Sequence, residues 1–512
     1  MPSRIDLRPE LTRHLHQRLQ AFREGFRHNL ALVGPPGSGK TYKLQQLLQE
    51  QPAGCLVIYC PLYRESCRSF LQRFAATILQ AGSTQPLPKT TAAVQPLEEL
   101  IARRLYGEAF NRTLDAIPLL IEECQRPCVL ILDEFLFLEE LGLGHAFHEL
   151  GKRVMTWPTT LFVLASSSPF RARTILRERL QLLFGQFELI ALEPPDPQHA
   201  AAWVQQELGT LKGAKAVSPF LIRWLGAHPW YLSVFLKRLK ELLVLRQSRE
   251  VTAAFFVQTA WDVLGSPEGL LHQWCASRTE PLAYTRPGTR AMDVLIEIAS
   301  GARTMTDLGK RTGRAGLPGT LQLLLEQDLV QRKGMCWVIP DSVLRCWLAA
   351  VLPAQRSGSL AGEGASRARF EEYLSGAWSQ WIQTTQLSFP EQVTRLLTSF
   401  RDDTVSLDSK TGRLQRFSTV AVQRPAEAKG SAVYLIAEGE GRRWCCTVQE
   451  GLVDEPMIAR FEAFCRTQTP RPSRKIVISR RGVDDNARLL AKAKNMWVWA
   501  ADDLEVLLDL YR

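Results

Sequence analysis

No run of about 18 apolar residues occurs anywhere in the sequence, so no membrane-spanning helix is expected. The opening residues, Met1-Pro2-Ser3-Arg4-Ile5-Asp6, carry charge where an export signal would carry an apolar core, which points to a cytoplasmic setting. Cysteines number 11, yet none forms a Cys-x-x-Cys pair matched by a second such pair. Cys124 and Cys128 bracket Gln-Arg-Pro with no histidine beside them. That spacing excludes a zinc framework. The remaining thiols, Cys55, Cys60, Cys346, Cys445 and Cys446 among them, sit in apolar or aromatic runs and read as small buried side chains in a reducing compartment. There is no internal repeat, which excludes solenoids and propellers.

What is present is globular. Hydrophobic residues make up 46% and charged residues 22%, which excludes global disorder, collagen and coiled coil. The 512 residues are enough for about three or four domains. The net charge of +11 leaves a polyanionic partner open without requiring one.

Along the chain, a helical pattern over residues 11–26 leads into the apolar run Leu30-Ala31-Leu32-Val33. Further strands are predicted at Cys55–Cys60, Cys128–Leu132 and Thr160–Ala165, with helices at about 114–124 and 144–155. Strands alternating with helices predict a parallel sheet covered on both faces, an α/β core over residues 1–195. Residues 196–285 lack strand patterns and read as a helical lid. Three helices, Arg290–Ala299, Thr304–Thr312 and Leu317–Gln327, precede a hairpin around Lys333-Gly334, which predicts a winged helix over 286–352. Residues 353–368, small and rich in Gly and Ser, read as a linker. A C-terminal α/β domain over 369–512 holds strand-like runs at Val433–Ala437, Trp444–Val448, Lys475–Ser479 and Met496–Trp499.

The chemistry concentrates in Gly34-Pro35-Pro36-Gly37-Ser38-Gly39-Lys40-Thr41, which matches G-x-x-x-x-G-K-[ST] in full. It follows a predicted strand and opens a predicted helix, the context that gives the motif its meaning. The glycines let successive N–H groups turn toward phosphate oxygens, and the helix adds its positive N-terminal end. Lys40 is expected to reach the β- and γ-phosphates of ATP, and Thr41 to place its hydroxyl on Mg²⁺. Asp133 and Glu134 end a buried-strand pattern, the place for a Mg²⁺-holding carboxylate and a base for the attacking water. Ser166, Ser167 and Ser168 end another such strand, and Ser167 is expected to face the γ-phosphate. Arg171, Arg173, Arg177 and Arg179 read as a solvated helix face, with an arginine finger in trans as the alternative.

These motifs, with Leu130-Ile131-Leu132-Asp133-Glu134-Phe135, Gly226-Ala227-His228-Pro229-Trp230-Tyr231-Leu232 and Ile339-Pro340-Asp341-Ser342-Val343-Leu344-Arg345-Cys346-Trp347-Leu348, give the chain a family resemblance. It resembles the STAND-group P-loop ATPases of archaeal type, relatives of the origin-recognition AAA+ proteins. The resemblance implies ATP and Mg²⁺ as cofactors and a lid turn at Pro229 packing near the base. It also implies a winged helix and, at the C-terminus, a restriction-endonuclease-like domain. Two positions depart from it: Gln186 stands where the family tends to carry arginine, and Ala227 where it carries glycine. In the C-terminal domain Tyr434, Thr447 and Gln449 stand where nuclease chemistry would need an acid, Glu and Lys, so the resemblance implies a nuclease fold without the reaction.

The third helix of the predicted winged helix carries no Lys or Arg, and only Arg311, Arg314, Arg332 and Lys333 flank it, which favours a structural or protein-docking role over base readout. The 13 tryptophans mostly lie in amphipathic or apolar runs and read as core. The expected function is an ATP-binding, slowly hydrolysing switch that assembles with protein partners or with itself. A DNA-binding regulator and a nucleotide-bound scaffold without turnover are the alternatives.

Overall fold

The apolar run Leu30–Val33, preceded by buried Asn29, forms a fully buried strand, β1 (Asn29–Val33), at the inside of a five-stranded parallel sheet. Its order is β2 (Leu56–Pro61), β3 (Cys128–Asp133), β4 (Thr160–Ser166), β1 and β5 (Phe187–Ala191). The period of two along a strand divides β3 cleanly. Leu130 and Leu132 enter one core with Phe70, Phe74, Phe110 and Phe162. Val129 and Ile131 enter another with Leu15, Leu19, Phe22 and Leu44. Burial on both faces is what a run of apolar residues without alternation requires. Each such side chain contributes about 1.5–3 kcal/mol. The edge strand β5 has no comparable run. Its Glu188 is ion-paired with Arg18 at 2.7 Å, and this short strand, apolar at its other four positions but half-exposed, escaped the sequence reading.

This computed structural model describes residues 5–49, 54–178, 187–209, 211–283, 288–353, 362–407, 410–424 and 433–511. The chain divides into two compact units, residues 1–274 with 323–329, and residues 275–322 with 330–512. Between 196 and 285 the described elements are helical, including Pro197–Leu208, Ala214–Leu225 and Pro229–Leu245. Among the described residues no helix is long and apolar enough to cross a membrane. All eleven cysteines are free thiols, and nine of them are buried.

Helices Gly288–Ala299 and Met305–Thr312 of the second unit, and then Leu317–Glu326, precede an antiparallel ribbon of β6 (Gln331–Lys333) and β7 (Cys336–Val338) in the second unit. Of the expected linker, residues 354–361 lie outside the described residues, while 362–368 are helical and open Gly362–Gln386. The sequence there is small and polar, but Arg367 pairs with Glu371 one turn on at 2.8 Å, which supports helix. The C-terminal sheet is mixed. Strands β10 (Thr419–Gln423), β11 (Val433–Gly439) and β12 (Arg442–Gln449) are antiparallel, and β13 (Arg474–Ser479) and β14 (Met496–Trp499) continue in parallel. Helices Glu455–Thr467 and Asp485–Ala493 cover one face, and Phe389–Thr398 and Ala501–Leu510 the other. A separate hairpin, β8 (Asp403–Leu407) and β9 (Lys410–Leu414), completes the domain. Trp444, Trp497 and Trp499 are core residues, as their apolar strands imply.

Candidate nucleotide-binding site

Parallel register brings the expected site residues to one edge of the first sheet. Val33 lies beside Ser166, and Asp133 lies between Pro61 and Ala165. The carboxyl ends of such strands are where open α/β sheets bind ligands. Gly34 continues β1 by donating its N–H to the Ser166 carbonyl at 3.2 Å. The chain then curls through Gly37 and Gly39, at φ +72° and +96°, into helix Lys40–Gln49. Both angles lie in the left-handed region that glycine enters without steric cost. A methyl group on Gly37 would also lie 2.8 Å from the His228 ring.

Lys40 is 3% exposed and folds back into this loop. Its ammonium donates to the carbonyls of Gly34 at 2.8 Å and Pro35 at 3.1 Å. Burial pushes it down to about 8, against the pull of Glu134 and Asp133 toward the charged form. A desolvated cation inside a ring of loop backbone is a strong partner for a phosphate chain.

Thr41 Oγ1 donates to Asp133 Oδ2 at 2.8 Å, and the Tyr59 hydroxyl donates to the same oxygen at 3.0 Å. Asp133 is 3% exposed, and its Oδ1 is buried without a hydrogen-bond partner. An orphaned buried carboxylate oxygen beside a threonine hydroxyl is a hard-oxygen donor pair that fits Mg²⁺. Among the described residues no group of three or more His, Cys, Asp or Glu gathers to hold a metal. A two-donor site suits an ion that keeps several waters and takes phosphate oxygens as its other ligands.

Glu134 adopts a left-handed backbone, φ +59°, at the strand tip. Its carboxylate accepts from the Ser167 N–H at 2.9 Å and from the Ser167 hydroxyl. Ser167 is thus brought to the site, against the carboxylate of Glu134. Ser166 is fully buried and accepts from the Ser168 N–H at 3.1 Å. Ser168 Oγ in turn donates to Asp328 at 2.8 Å.

Pro229 is the first residue of helix Pro229–Leu245 and is capped by His228. Its link to the phosphate loop runs through that cap: His228 Nε2 lies 3.1 Å from the Pro36 carbonyl, and its ring stacks on Tyr231 at 3.9 Å. Ala227, in the position where glycine was expected, takes φ +54°. The turn keeps its left-handed geometry despite the side chain.

Sequence reasoning quoted His228 only as part of the lid motif, without this contact, and missed two further residues. Arg8 donates to the Ser38 carbonyl at 3.1 Å and to the Glu193 carbonyl, and burial lowers it to about 10. Tyr59 completes the shell around Asp133. Arg8 lies more than two dozen residues upstream of the motif, and no spacing rule marks it. Tyr59 alternates with buried Ile58 and Cys60, so the period of two on β2 was a usable signal. Gln186 and Arg179 lie outside the described residues. Arg171 is ion-paired with Glu139 at 2.7 Å. In the C-terminal domain Tyr434 and Thr447 face each other across β11 and β12, and Tyr434 packs on Phe464 with ring centroids 4.3 Å apart.

Residues 5–153 match the family of the AAA ATPase domain. No curated protein matches the chain. Among solved structures, the Walker-type ATPase of Pyrococcus abyssi is similar at 17% identity with a TM-score of 0.50, over 67% of this chain and 95% of that one. The ORC2 protein of Aeropyrum pernix, in ADPNP–ADP complexes, is similar at 14% identity with a TM-score of 0.46, over 71% of this chain and 97% of that one. The phosphate loop, the Thr41–Asp133 contact and the matched segment agree: residues 5–153 carry an AAA ATPase domain on a P-loop NTPase-like fold.

Proposed function

We propose that this chain is an ATP-driven molecular switch that turns over slowly and couples its nucleotide state to assembly with protein partners. The observation that carries the reading is the hydrogen bond joining Thr41 to Asp133, with an unpaired carboxylate oxygen beside it and Lys40 drawn into the loop. Lys40 binds the phosphate chain as counter-charge. Thr41 and Asp133 would hold Mg²⁺, which neutralises phosphate charge when bound. Glu134 orients the attacking water and takes its proton, and Ser167 fixes the position of Glu134. Both contacts from Ser167 go to the Glu134 carboxylate, so any movement of Glu134 toward a water costs part of those bonds. That restraint supports slow turnover and favours, as second reading, a nucleotide-bound scaffold.

In this reading residues 196–285 are the lid, 286–352 a winged helix, and 369–512 a restriction-endonuclease-like domain that binds rather than cuts. The neutral side chains of Tyr434, Thr447 and Gln449 support the last assignment, and so does the packing of Tyr434 against Phe461 and Phe464 of helix Glu455–Thr467. The family of origin is the STAND-group archaeal-type ATPases, and the setting is the cytoplasm.

The test is a pair of variants. Lys40→Ala is expected to weaken ATP binding at least tenfold, because the buried cation contributes more than about 1.4 kcal/mol. Glu134→Gln is expected to keep ATP binding and to lower the hydrolysis rate by about 10²–10⁴. Unchanged ATP affinity in Lys40→Ala would overturn the site. Unchanged turnover and unchanged assembly in Glu134→Gln would leave the scaffold reading.

A further inference from the structure

Ser167 is held from both sides. Before it, Ser166 is fully buried at the end of β4, and its hydroxyl accepts from the Ser168 N–H at 3.1 Å. After it, the chain is held by Asp328. The Asp328 Oδ2 accepts from the Ser168 hydroxyl at 2.8 Å, and Oδ1 accepts from the Phe170 N–H at 3.0 Å. Phe170 is the second residue of helix Pro169–Glu178, so its N–H has no partner within that helix. One carboxylate therefore fixes both the last serine of the turn and the start of the helix that follows. Between these anchors, Ser167 gives its N–H and its hydroxyl to Glu134. Asp328 lies 160 residues beyond Ser168, yet both belong to the same compact unit.

The backbone of Asp328 aims this carboxylate. Asp328 closes helix Leu317–Glu326 in the left-handed region, at φ +55°. Its N–H donates to the Leu325 carbonyl at 3.0 Å, and the Leu329 N–H donates to the Leu324 carbonyl at 3.0 Å. Glycine is the usual residue at this kind of helix end, because a side chain is sterically costly in that conformation. Aspartate bears the cost here, and its half-buried carboxylate makes both contacts with the serine turn. Costly conformations persist where the surrounding structure holds them, and they gather at functional sites. Glycine would suit the helix end better but could not supply the acceptor.

We propose that Asp328 is a positioning residue for ATP hydrolysis: its carboxylate latches the serine turn, and the latched turn keeps Ser167 on Glu134 and so restrains the approach of Glu134 to the attacking water. Asp328 acts through Ser168 and Ser167 and is not itself a catalytic residue. The inference rests on the proposed role of Glu134 as the base. Loss of the carboxylate releases the Ser168 hydroxyl and the Phe170 N–H. The turn then relaxes, and both bonds from Ser167 to Glu134 weaken together. Glu134 meets a water at lower cost, and hydrolysis quickens. The contacts of Lys40 with the loop and of Thr41 with Asp133 do not pass through this turn, so ATP affinity stays the same. A brace that served stability alone would lower the melting temperature without quickening the hydrolytic step.

The experiment measures the single-turnover hydrolysis rate at saturating ATP, the ATP affinity and the melting temperature of the full-length protein. Asp328→Gly removes the carboxylate while giving the helix end its preferred residue, and Ser168→Ala removes only a hydroxyl. Asp328→Gly is expected to raise the hydrolysis rate about three- to tenfold and Ser168→Ala about two- to threefold, each with unchanged ATP affinity. Added to Ser167→Ala, Asp328→Gly is expected to raise the rate by less than about twofold more, because both changes release the same carboxylate. An unchanged or slower rate in Asp328→Gly overturns the proposal, and so does full multiplication of its effect with that of Ser167→Ala. Should Asp328→Gly fail to fold, Ser168→Ala, alone and combined with Ser167→Ala, decides on the same terms. Glu134→Gln separates this inference from the reading beneath it. If Glu134→Gln abolishes hydrolysis and Asp328→Gly leaves the rate unchanged, the latch alone fails. If Glu134→Gln hydrolyses ATP at the unaltered rate, the base lies elsewhere and the latch falls with it.

Discussion

Ser167 makes the sharpest claim at the scale of single residues. The sequence places it at a strand end facing a phosphate, whereas the structure gives both of its polar groups to Glu134. A carboxylate held this way keeps acceptor sites for a water but is restrained in where it can meet one. Removing the hydroxyl takes away one of two hydrogen bonds, about 1 kcal/mol, and leaves the backbone N–H in place. Ser167→Ala is therefore expected to raise the single-turnover hydrolysis rate about three- to tenfold with unchanged ATP affinity. A slower rate would mean that Ser167 acts on the γ-phosphate itself. The places of Lys40 and Thr41 follow from the loop backbone, and the glycine angles of that loop are dictated by the motif.

Among the elements, the β6–β7 ribbon is the informative case. Its turn is docked on the β8 strand of the same unit: Met335 N–H donates to the Thr404 carbonyl at 2.9 Å. Cys336 belongs to the same buried core as Val405, Leu407 and Phe400. At Gly334, φ is +68°, and an added methyl would lie 2.7 Å from both Ser406 N and the Thr404 carbonyl. Gly334→Val is thus expected to destabilise this unit by about 2–3 kcal/mol, read as a lower denaturant midpoint; a midpoint equal to that of the unaltered protein would show the contact to be dispensable. The ribbon itself was legible from the Lys333-Gly334 turn between the short stretches Leu329–Arg332 and Cys336–Ile339, although its first strand starts two residues later, at Gln331. Its docking was not, because the partner strand lies some seventy residues on and β8 carries only Val405 and Leu407 as buried positions. The same rule divides the rest of the molecule. Strands β1, β3 and β4 are continuous apolar runs and were read to within a residue or two. Strands β5, β9 and β10 are short; β9 is polar, and the apolar residues of β5 and β10 stay partly or fully exposed, so none of the three makes the buried run that marks β1, β3 and β4. In the site, the residues carried by one contiguous motif were legible. Arg8 and His228 were not, because only the fold brings them to the phosphate loop.

For the whole molecule, a switch requires more than an ATP site and a binding surface: it requires a coupling free energy between them. The chain divides into two compact units, and the nucleotide site lies in one of them. If nucleotide state governs assembly, the self-association constant of the chain must differ between the ATP and ADP forms. Coupling of ordinary size, about 1–3 kcal/mol, corresponds to a 5–150-fold difference. Linkage then demands the reverse effect: the assembled protein must change its preference for ATP over ADP by the same factor for each nucleotide bound. Both quantities can be measured on the Glu134→Gln protein, which is expected to hold ATP without consuming it, by light scattering across a concentration series in each nucleotide. The expected result is a matched pair of ratios, at least about fivefold each. Equal mass distributions in the ATP, ADP and nucleotide-free forms would remove coupling to self-assembly, and the ATP domain would then act on a different protein partner or as a scaffold.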